Sequence, residues 1–131
     1  MLQQLPALVT LLAVLLMGGT AYAVGSARAR YGIKAPATSG HPDFERAFRV
    51  QMNTLEACVM FLPLLWLAAH YGLGGWAGLA GLVWLLGRVW YALAYLKEAS
   101  KREGGFVLSA LGLVAVLLMA LTGVVRALLA A

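Results

Sequence analysis

The chain has 131 residues, of which 63% are hydrophobic and only 11% are charged, and its formal net charge is +5. Soluble domains have about 45–50% apolar and about 25% charged residues. So few charges cannot cover the surface of a water-soluble particle, which excludes an ordinary soluble domain and predicts a membrane protein. The length suits one domain, residues 1–131.

An uncharged apolar run, Leu5–Val24, comes first in the chain. As a helix that rises about 1.5 Å per residue, it is long enough to cross a hydrocarbon core of about 30 Å. We therefore predict a first transmembrane helix over about 5–25. A signal peptide is the alternative, because residues 21–23 (Ala-Tyr-Ala) fit a cleavage site, but the basic residues follow the run instead of preceding it.

Three further segments predict transmembrane helices, over about 46–71, 74–98 and 105–128. Because the bilayer core has no water to satisfy open backbone groups, such spans are helices or closed barrels. None of them alternates polar and apolar residues as barrel strands do. The predicted fold class is therefore an all-α membrane protein, a four-transmembrane-helix up-and-down bundle.

The basic residues predict the topology of this bundle. The first and third loop regions, 25–48 and 97–105, are rich in Lys and Arg, whereas the second, 70–75, has neither. By the positive-inside rule, loops one and three are cytoplasmic and both termini lie on the opposite side. The positive charge is thus explained by topology and contact with membrane lipid. No aromatic and basic RNA-binding motif is present, so no nucleic-acid partner is expected.

Polar residues inside the second predicted helix form a stripe. Arg49, Asn53 and Glu56 are spaced four and then three residues apart, which places them within an arc of about 60° over about 10 Å. A charge at mid-membrane costs roughly 3 kcal/mol, so such residues usually face a bundle interior and mark function. An extended tripeptide also spans about 10 Å. The stripe therefore has the dimensions of a small polar ligand.

The third predicted helix repeats this pattern with Arg88, Tyr91 and Tyr95. If the helix continues, Arg102 lies on the same stripe, within about 40° of Arg88. A salt bridge such as Glu56 with Arg88, holding the bundle together, is an alternative interpretation of both stripes. The surplus of cationic and hydrogen-bonding groups instead favours an anionic, polar ligand that enters from the cytoplasmic side.

No metal site is predicted. His41 and His70 are far apart and lack the spacing of metal ligands, and Cys58 is a lone cysteine in an apolar helix. The chemistry expected of this chain is therefore metal-free. Lys97, Lys101, Glu98 and Glu103 are interpreted as a solvated helix end.

Residues 44–56, FERAFRVQMNTLE, resemble the FERxxRxQxNxxE signature of the MAPEG family, the membrane-associated proteins in eicosanoid and glutathione metabolism. Residues 40–43, Gly-His-Pro-Asp, resemble the lead-in to that signature. Residues 88–95 resemble the RxxYxxxY motif of the family's third helix. The resemblance covers nearly the whole chain, with the same helix order.

The resemblance implies a homotrimer of four-helix bundles that uses glutathione as its co-substrate, bound between adjacent subunits near the cytoplasmic face. Arg102 would face the glutathione sulfur as the catalytic residue. An adjacent cation lowers the pKa of a thiol, ordinarily about 8.5, and so favours the nucleophilic thiolate. Carried over by position, the residues that would hold glutathione are Arg28, Arg49, Gln51, Asn53, Glu56, Arg88, Tyr91 and Tyr95.

The implied function is a membrane-bound glutathione transferase, a glutathione-dependent peroxidase, or both, acting on lipophilic electrophiles or lipid hydroperoxides. Ala57 and Ala29 stand where leukotriene synthases carry a tyrosine and an arginine, which favours a broader activity than leukotriene synthesis. One alternative is a non-catalytic lipid-binding protein of the lipoxygenase-activating type. Another is a small multidrug exporter, although the acidic residue that usually marks its first helix is missing here.

Overall fold

The computed structural model describes all 131 residues, and it contains helices and no strand. Its four α-helices are α1 (Leu5–Tyr31), α2 (Pro42–Ala68), α3 (Gly74–Lys97) and α4 (Glu103–Ala130). A short helical turn, Leu2–Gln4, precedes α1, a π-helical turn, Ala69–Leu73, joins α2 to α3, and a 3-10 turn, Ala99–Lys101, precedes α4. Helix α1 extends beyond its predicted end near residue 25, and α2 begins before its predicted start near residue 46.

Local signals explain where these helices begin and end. Helix α1 ends at Tyr31 because the next residue, Gly32, has a φ of 65°, in the left-handed region that favours glycine. Helix α2 starts with Pro42, and the side chain of His41 accepts a hydrogen bond from the backbone N–H of Asp43 at 3.1 Å. Gly72, with a φ of 84°, interrupts the helical backbone between α2 and α3. The chain therefore reverses direction there within a few residues.

Successive helices run in opposite directions. Arg46 Nε, near the start of α2, donates to the carbonyl oxygen of Leu96 at the end of α3, at 3.4 Å. At the other end of the molecule, a Cβ on Gly75 would lie 3.4 Å from Leu2. The loops 32–41 and 98–102 thus share one end of the bundle, which we name the basic end because both loops and their flanking turns carry Lys and Arg.

All four helices contribute to one apolar core. Phe61 of α2 and Trp84 of α3 stack at its centre with their ring centroids 3.9 Å apart, and Val9 of α1 and Val116 of α4 pack into the same cluster. The outer surface is also apolar, since Leu15 and many other large hydrophobic side chains are exposed. An apolar core beneath an apolar surface is the arrangement that a protein surrounded by lipid requires.

Three helical stretches are long and apolar enough to cross a membrane: Leu2–Tyr31, Pro42–Lys97 and Ala99–Ala130. The second of them contains both α2 and α3. The prediction of an all-α membrane protein is confirmed.

Helices α3 and α4 are in close backbone contact along a line that we name the glycine seam, formed by Gly87, Gly105 and Gly112. A Cβ on Gly112 would lie 2.6 Å from the backbone nitrogen of Trp84, and one on Gly87 would lie 2.8 Å from Cα of Ser109. Small residues allow helices in membranes to approach in this way. The seam fixes the position of α4 relative to α3.

Candidate functional site

The polar stripe of α2 faces the gap between α2 and α4, where it meets side chains of α3. A pocket of about 410 Å³ opens there near the basic end, and we name it the upper pocket. It is lined by Arg49, Asn53, Tyr91, Tyr95, Arg102, Glu103, Phe106 and Val107. Five of the nine residues that the sequence nominates for the site therefore line one pocket.

A second pocket, of about 270 Å³, continues the gap deeper into the bundle, and we name it the lower pocket. It shares Asn53 and Phe106 with the upper pocket. Its full lining is Asn53, Glu56, Ala57, Met60, Trp84, Arg88, Phe106, Ser109, Ala110 and Leu113. The two pockets together thus bring together seven of the nominated residues.

Arg88 forms the inner wall of the lower pocket and is almost completely buried, with 1% of its surface exposed. Its Nη2 donates to Asn53 Oδ1 at 2.9 Å and to Thr54 Oγ1 at 2.8 Å, and its guanidinium carbon lies 4.2 Å from the ring centroid of Tyr91. These contacts orient Asn53 and Tyr91, both of which line the upper pocket. The Nε of Arg88 has no hydrogen-bond partner.

The salt bridge between Glu56 and Arg88, the alternative interpretation of the two polar stripes, is absent. The ion pairs of this chain join Arg46 to Asp43 and Lys101 to Glu98, and Arg88 bonds to neutral oxygens instead. Glu56 is exposed and lines the lower pocket without a partner, so its carboxylate is free for a ligand. The alternative interpretation fails because helical spacing determines the face of the helix on which a residue lies, but not which of several facing groups lies within bonding distance.

Arg102 reaches the upper pocket by a different route from the one predicted. Helix α3 ends at Lys97 and Glu98 is extended, with φ −157° and ψ 123°, so the stripe of α3 does not continue helically to Arg102. Instead, Arg102 Nη1 donates to the carbonyl of Ala99 at 2.7 Å, and its guanidinium carbon lies 5.6 Å from the ring centroid of Tyr95. The turn, rather than a helix, therefore places this cation at the pocket.

Arg28 and Gln51 line neither pocket. Arg28 Nη1 donates to the carbonyl of Ala37 at 2.8 Å, and its guanidinium carbon lies 4.8 Å from the ring centroid of Phe44. Gln51 is seven residues from Phe44 and so shares its face of α2, about 160° around the helix from Asn53. The nominated residues therefore form two groups, on opposite sides of α2.

Glu103 is a pocket residue that the sequence analysis assigned to a solvated helix end. Glu98 behaves as that analysis expects, because Ser100 Oγ donates to its carboxylate at 2.8 Å and Lys101 Nζ lies 3.5 Å away. These contacts hold the pKa of the Glu98 carboxyl below its usual range. Glu103, the first residue of α4, instead lines the upper pocket. Its position directly after Arg102 is the signal that could have identified it.

The upper pocket combines two guanidinium groups, Arg49 and Arg102, with the phenols of Tyr91 and Tyr95. Guanidinium groups bind carboxylates through charge-assisted hydrogen bonds, and a cation beside a thiol stabilises the thiolate. The arrangement therefore suits a polar anionic ligand that carries a thiol. No group of three or more His, Cys, Asp and Glu residues comes together in a way that could hold a metal ion.

The sequence of this chain is similar to those of several known proteins. An uncharacterized protein of Synechocystis, sll1147, is 52% identical over 81% of this chain and 77% of its own length. Bovine microsomal glutathione S-transferase 2 is 44% identical over 72% of this chain, a match that spans 64% of that relative, slightly less than two thirds. Rat leukotriene C4 synthase is 40% identical over 89% of this chain and 78% of its own length. The MAPEG family model matches residues 6–122, which include both pockets, and the chain belongs to the MAPEG family.

Proposed function

We propose that the protein is a membrane-bound glutathione transferase, with glutathione-dependent peroxidase activity as a second use of the same thiolate. The observation that carries the proposal is the convergence of Arg49, Asn53, Tyr91, Tyr95 and Arg102 on the upper pocket. The relatives named as a glutathione S-transferase and a leukotriene C4 synthase support glutathione as the co-substrate.

In this proposal each group of glutathione has a partner of opposite character. Arg49 and Tyr95 receive its carboxylates, and Glu56, which has no partner in the chain, receives its ammonium group. Arg88 holds Asn53 in place for a hydrogen bond to the peptide. The two pockets, which share Asn53, thus supply one continuous binding surface.

Arg102 is the proposed catalytic residue. Its charge favours the glutathione thiolate, which attacks an electrophilic carbon of a lipophilic substrate, so that a carbon–sulfur bond forms while the bond to the leaving group or epoxide oxygen breaks. With a lipid hydroperoxide, the thiolate attacks the terminal oxygen, the O–O bond breaks, and protonation releases the lipid alcohol. A second glutathione then reduces the resulting sulfenic acid, which gives glutathione disulfide and water.

We further propose that the protein is a homotrimer and that the second group of nominated residues serves a neighbouring site. Arg28 and Gln51 lie on the opposite side of α2 from Asn53, so they cannot complete the pocket of their own chain. In a closed ring of three subunits each interface joins two different surfaces, so the side with Arg28 and Gln51 would meet the pocket side of the next subunit. Each glutathione site would then combine Arg49 of one subunit with Arg28 of its neighbour.

The membrane arrangement that fits this site has four transmembrane helices, with loops one and three in the cytoplasm and both termini on the opposite side. The upper pocket lies near the basic end, which the positive-inside rule places in the cytoplasm. Water-soluble glutathione would therefore enter from the cytoplasm. The lipophilic substrate would enter from the bilayer.

The test is the ultraviolet absorbance of the glutathione thiolate in the detergent-purified protein. We expect a glutathione-dependent signal near neutral pH that Arg102→Ala abolishes. Lys101→Ala is the matched control, because it removes a cation one residue away that contacts Glu98 and does not line the pocket. Tight glutathione binding without any thiolate would instead indicate a non-catalytic binding protein.

The intersubunit site has its own test. Arg28→Ala and Arg49→Ala should each weaken glutathione binding when purified alone. Co-expression of the two variants should restore some binding, because a mixed trimer contains sites in which both arginines are intact. Mixtures that bind no better than the separate variants would show that both arginines act within one subunit.

A further inference from the structure

Glu103 is the only carboxylate that lines the upper pocket. It is exposed, it begins α4, and it takes part in neither of the ion pairs and in none of the side-chain hydrogen bonds of this chain. The other polar groups of this pocket are cationic or form hydrogen bonds. Because no partner neutralises the Glu103 carboxylate, its negative charge acts on the ligand that binds in the pocket. That effect is separate from the binding roles proposed above.

The other charged and titratable groups of the upper pocket come from α2, from α3 and from the turn before α4. Arg49 of α2 and Tyr91 and Tyr95 of α3 line the same pocket as Glu103, and Arg102 precedes Glu103 in the chain. Lys101, two residues before Glu103, pairs with Glu98 outside the pocket, and Glu56 and Arg88 lie deeper, in the lower pocket. The two upper arginines favour an anion in the pocket, whereas the Glu103 carboxylate disfavours one.

We propose that Glu103 is a positioning residue that limits thiolate formation by glutathione bound in the upper pocket, by offsetting the field of Arg102. The inference rests on the proposed function. A thiolate gains from the Arg102 cation and loses from the Glu103 carboxylate, so its population depends on the difference between the two interactions. Because the thiolate is also the form that oxidants attack, a larger protonated fraction of the bound glutathione reduces its oxidation.

Glu98 provides a matched control for this charge. It lies five residues before Glu103 at the same end of the molecule, it is exposed, and it does not line the upper pocket. Its hydrogen bond from Ser100 and its contact with Lys101 lower its pKa, so it stays ionised over the range in which a thiol titrates. Removal of its charge changes the net charge of the protein by the same amount as removal of the Glu103 charge.

The experiment titrates the thiolate absorbance of bound glutathione against pH in the full-length protein, for the wild type, Glu103→Gln, Glu103→Asp and Glu98→Gln. We expect Glu103→Gln to lower the titration midpoint by several tenths of a pH unit to about one unit, as the loss of one nearby charge predicts. Glu103→Asp keeps the charge and should stay close to the wild type. Glu98→Gln should leave the midpoint unchanged.

An unchanged or raised midpoint in Glu103→Gln would overturn the inference. An equal shift in Glu98→Gln would also overturn it, because the effect would then depend on the net charge of the protein rather than on the position of the charge. An equal shift in Glu103→Asp would overturn it as well, because this variant keeps the charge and changes only the shape of the side chain. In each of these cases the wild type still forms the glutathione thiolate, so the proposed function would stand. A wild type that binds glutathione calorimetrically but forms no thiolate at any pH would overturn the proposed function and this inference together.

Discussion

The two sides of α4 are packed in opposite ways. Toward α3, the glycine seam brings the two backbones into direct contact, so that even one added methyl group has no space. Toward α2, the gap contains pockets of about 410 and 270 Å³. This difference explains how a small bundle can contain a polar site and still keep its shape. Because the contact with α3 already fixes α4, α4 does not have to pack tightly against α2 as well.

Arg88→Ala tests the wall of the gap and should have the largest effect on stability. It removes a buried side chain and leaves Asn53 and Thr54 without their donor, so we expect a loss of about 2–4 kcal/mol in the free energy of unfolding. Lys97→Ala is the control, since it removes an exposed cation from the same helix and should change stability by less than about 0.5 kcal/mol. Unfolding in mixed micelles, followed by circular dichroism, measures both. If the two variants lose the same free energy of unfolding, the contacts of Arg88 at the wall of the gap do not stabilise the fold.

Gly112→Ala tests the seam and should have a smaller but clear effect. The new methyl group would lie 2.6 Å from the backbone nitrogen of Trp84, whose ring is held by stacking on Phe61, so the two helices must separate at a cost of about 1–3 kcal/mol. Gly25→Ala is the matched control, because nothing lies within 4 Å of its added methyl group. The gain in helix propensity should make that variant as stable as the wild type or more so. If Gly112→Ala is no less stable than Gly25→Ala, the seam is not a tight contact.

The features that follow from periodicity could be predicted from the sequence. The spacing of Arg49, Asn53 and Glu56 places them on one face of any α-helix, and the structure brings that face to the gap. The resemblance to the MAPEG signature rests on the same residues of α2, and the family match confirms that the chain belongs to this family. Patterns within one helix are reliable here because the membrane forces the backbone to be helical.

Features that depend on the relation between two elements could not be predicted in this way. The partner of Arg88 is decided by how closely α2 approaches α3, which no spacing within either helix reports. Arg102 reaches the pocket through a turn, and helical periodicity ends at Lys97. Glu103 was missed for the same reason, since it is exposed at the start of α4 and also lines the pocket that α4 forms with α2 and α3.

Tyr95→Phe separates the contribution of the Tyr95 hydroxyl from that of its ring. Of the three substitutions, it should have the smallest effect. The ring of Tyr95 lies 5.6 Å from the Arg102 guanidinium carbon and 5.5 Å from the ring of Tyr91, and phenylalanine keeps both contacts. Only the hydroxyl is lost, so glutathione affinity should fall about two- to tenfold, the equivalent of one hydrogen bond. The thiolate fraction at saturating glutathione should stay the same, because Arg102 keeps its position. Tyr95→Leu, which removes the ring as well, should lower that fraction; if Tyr95→Phe alone lowers it, the hydroxyl rather than the ring supports the thiolate.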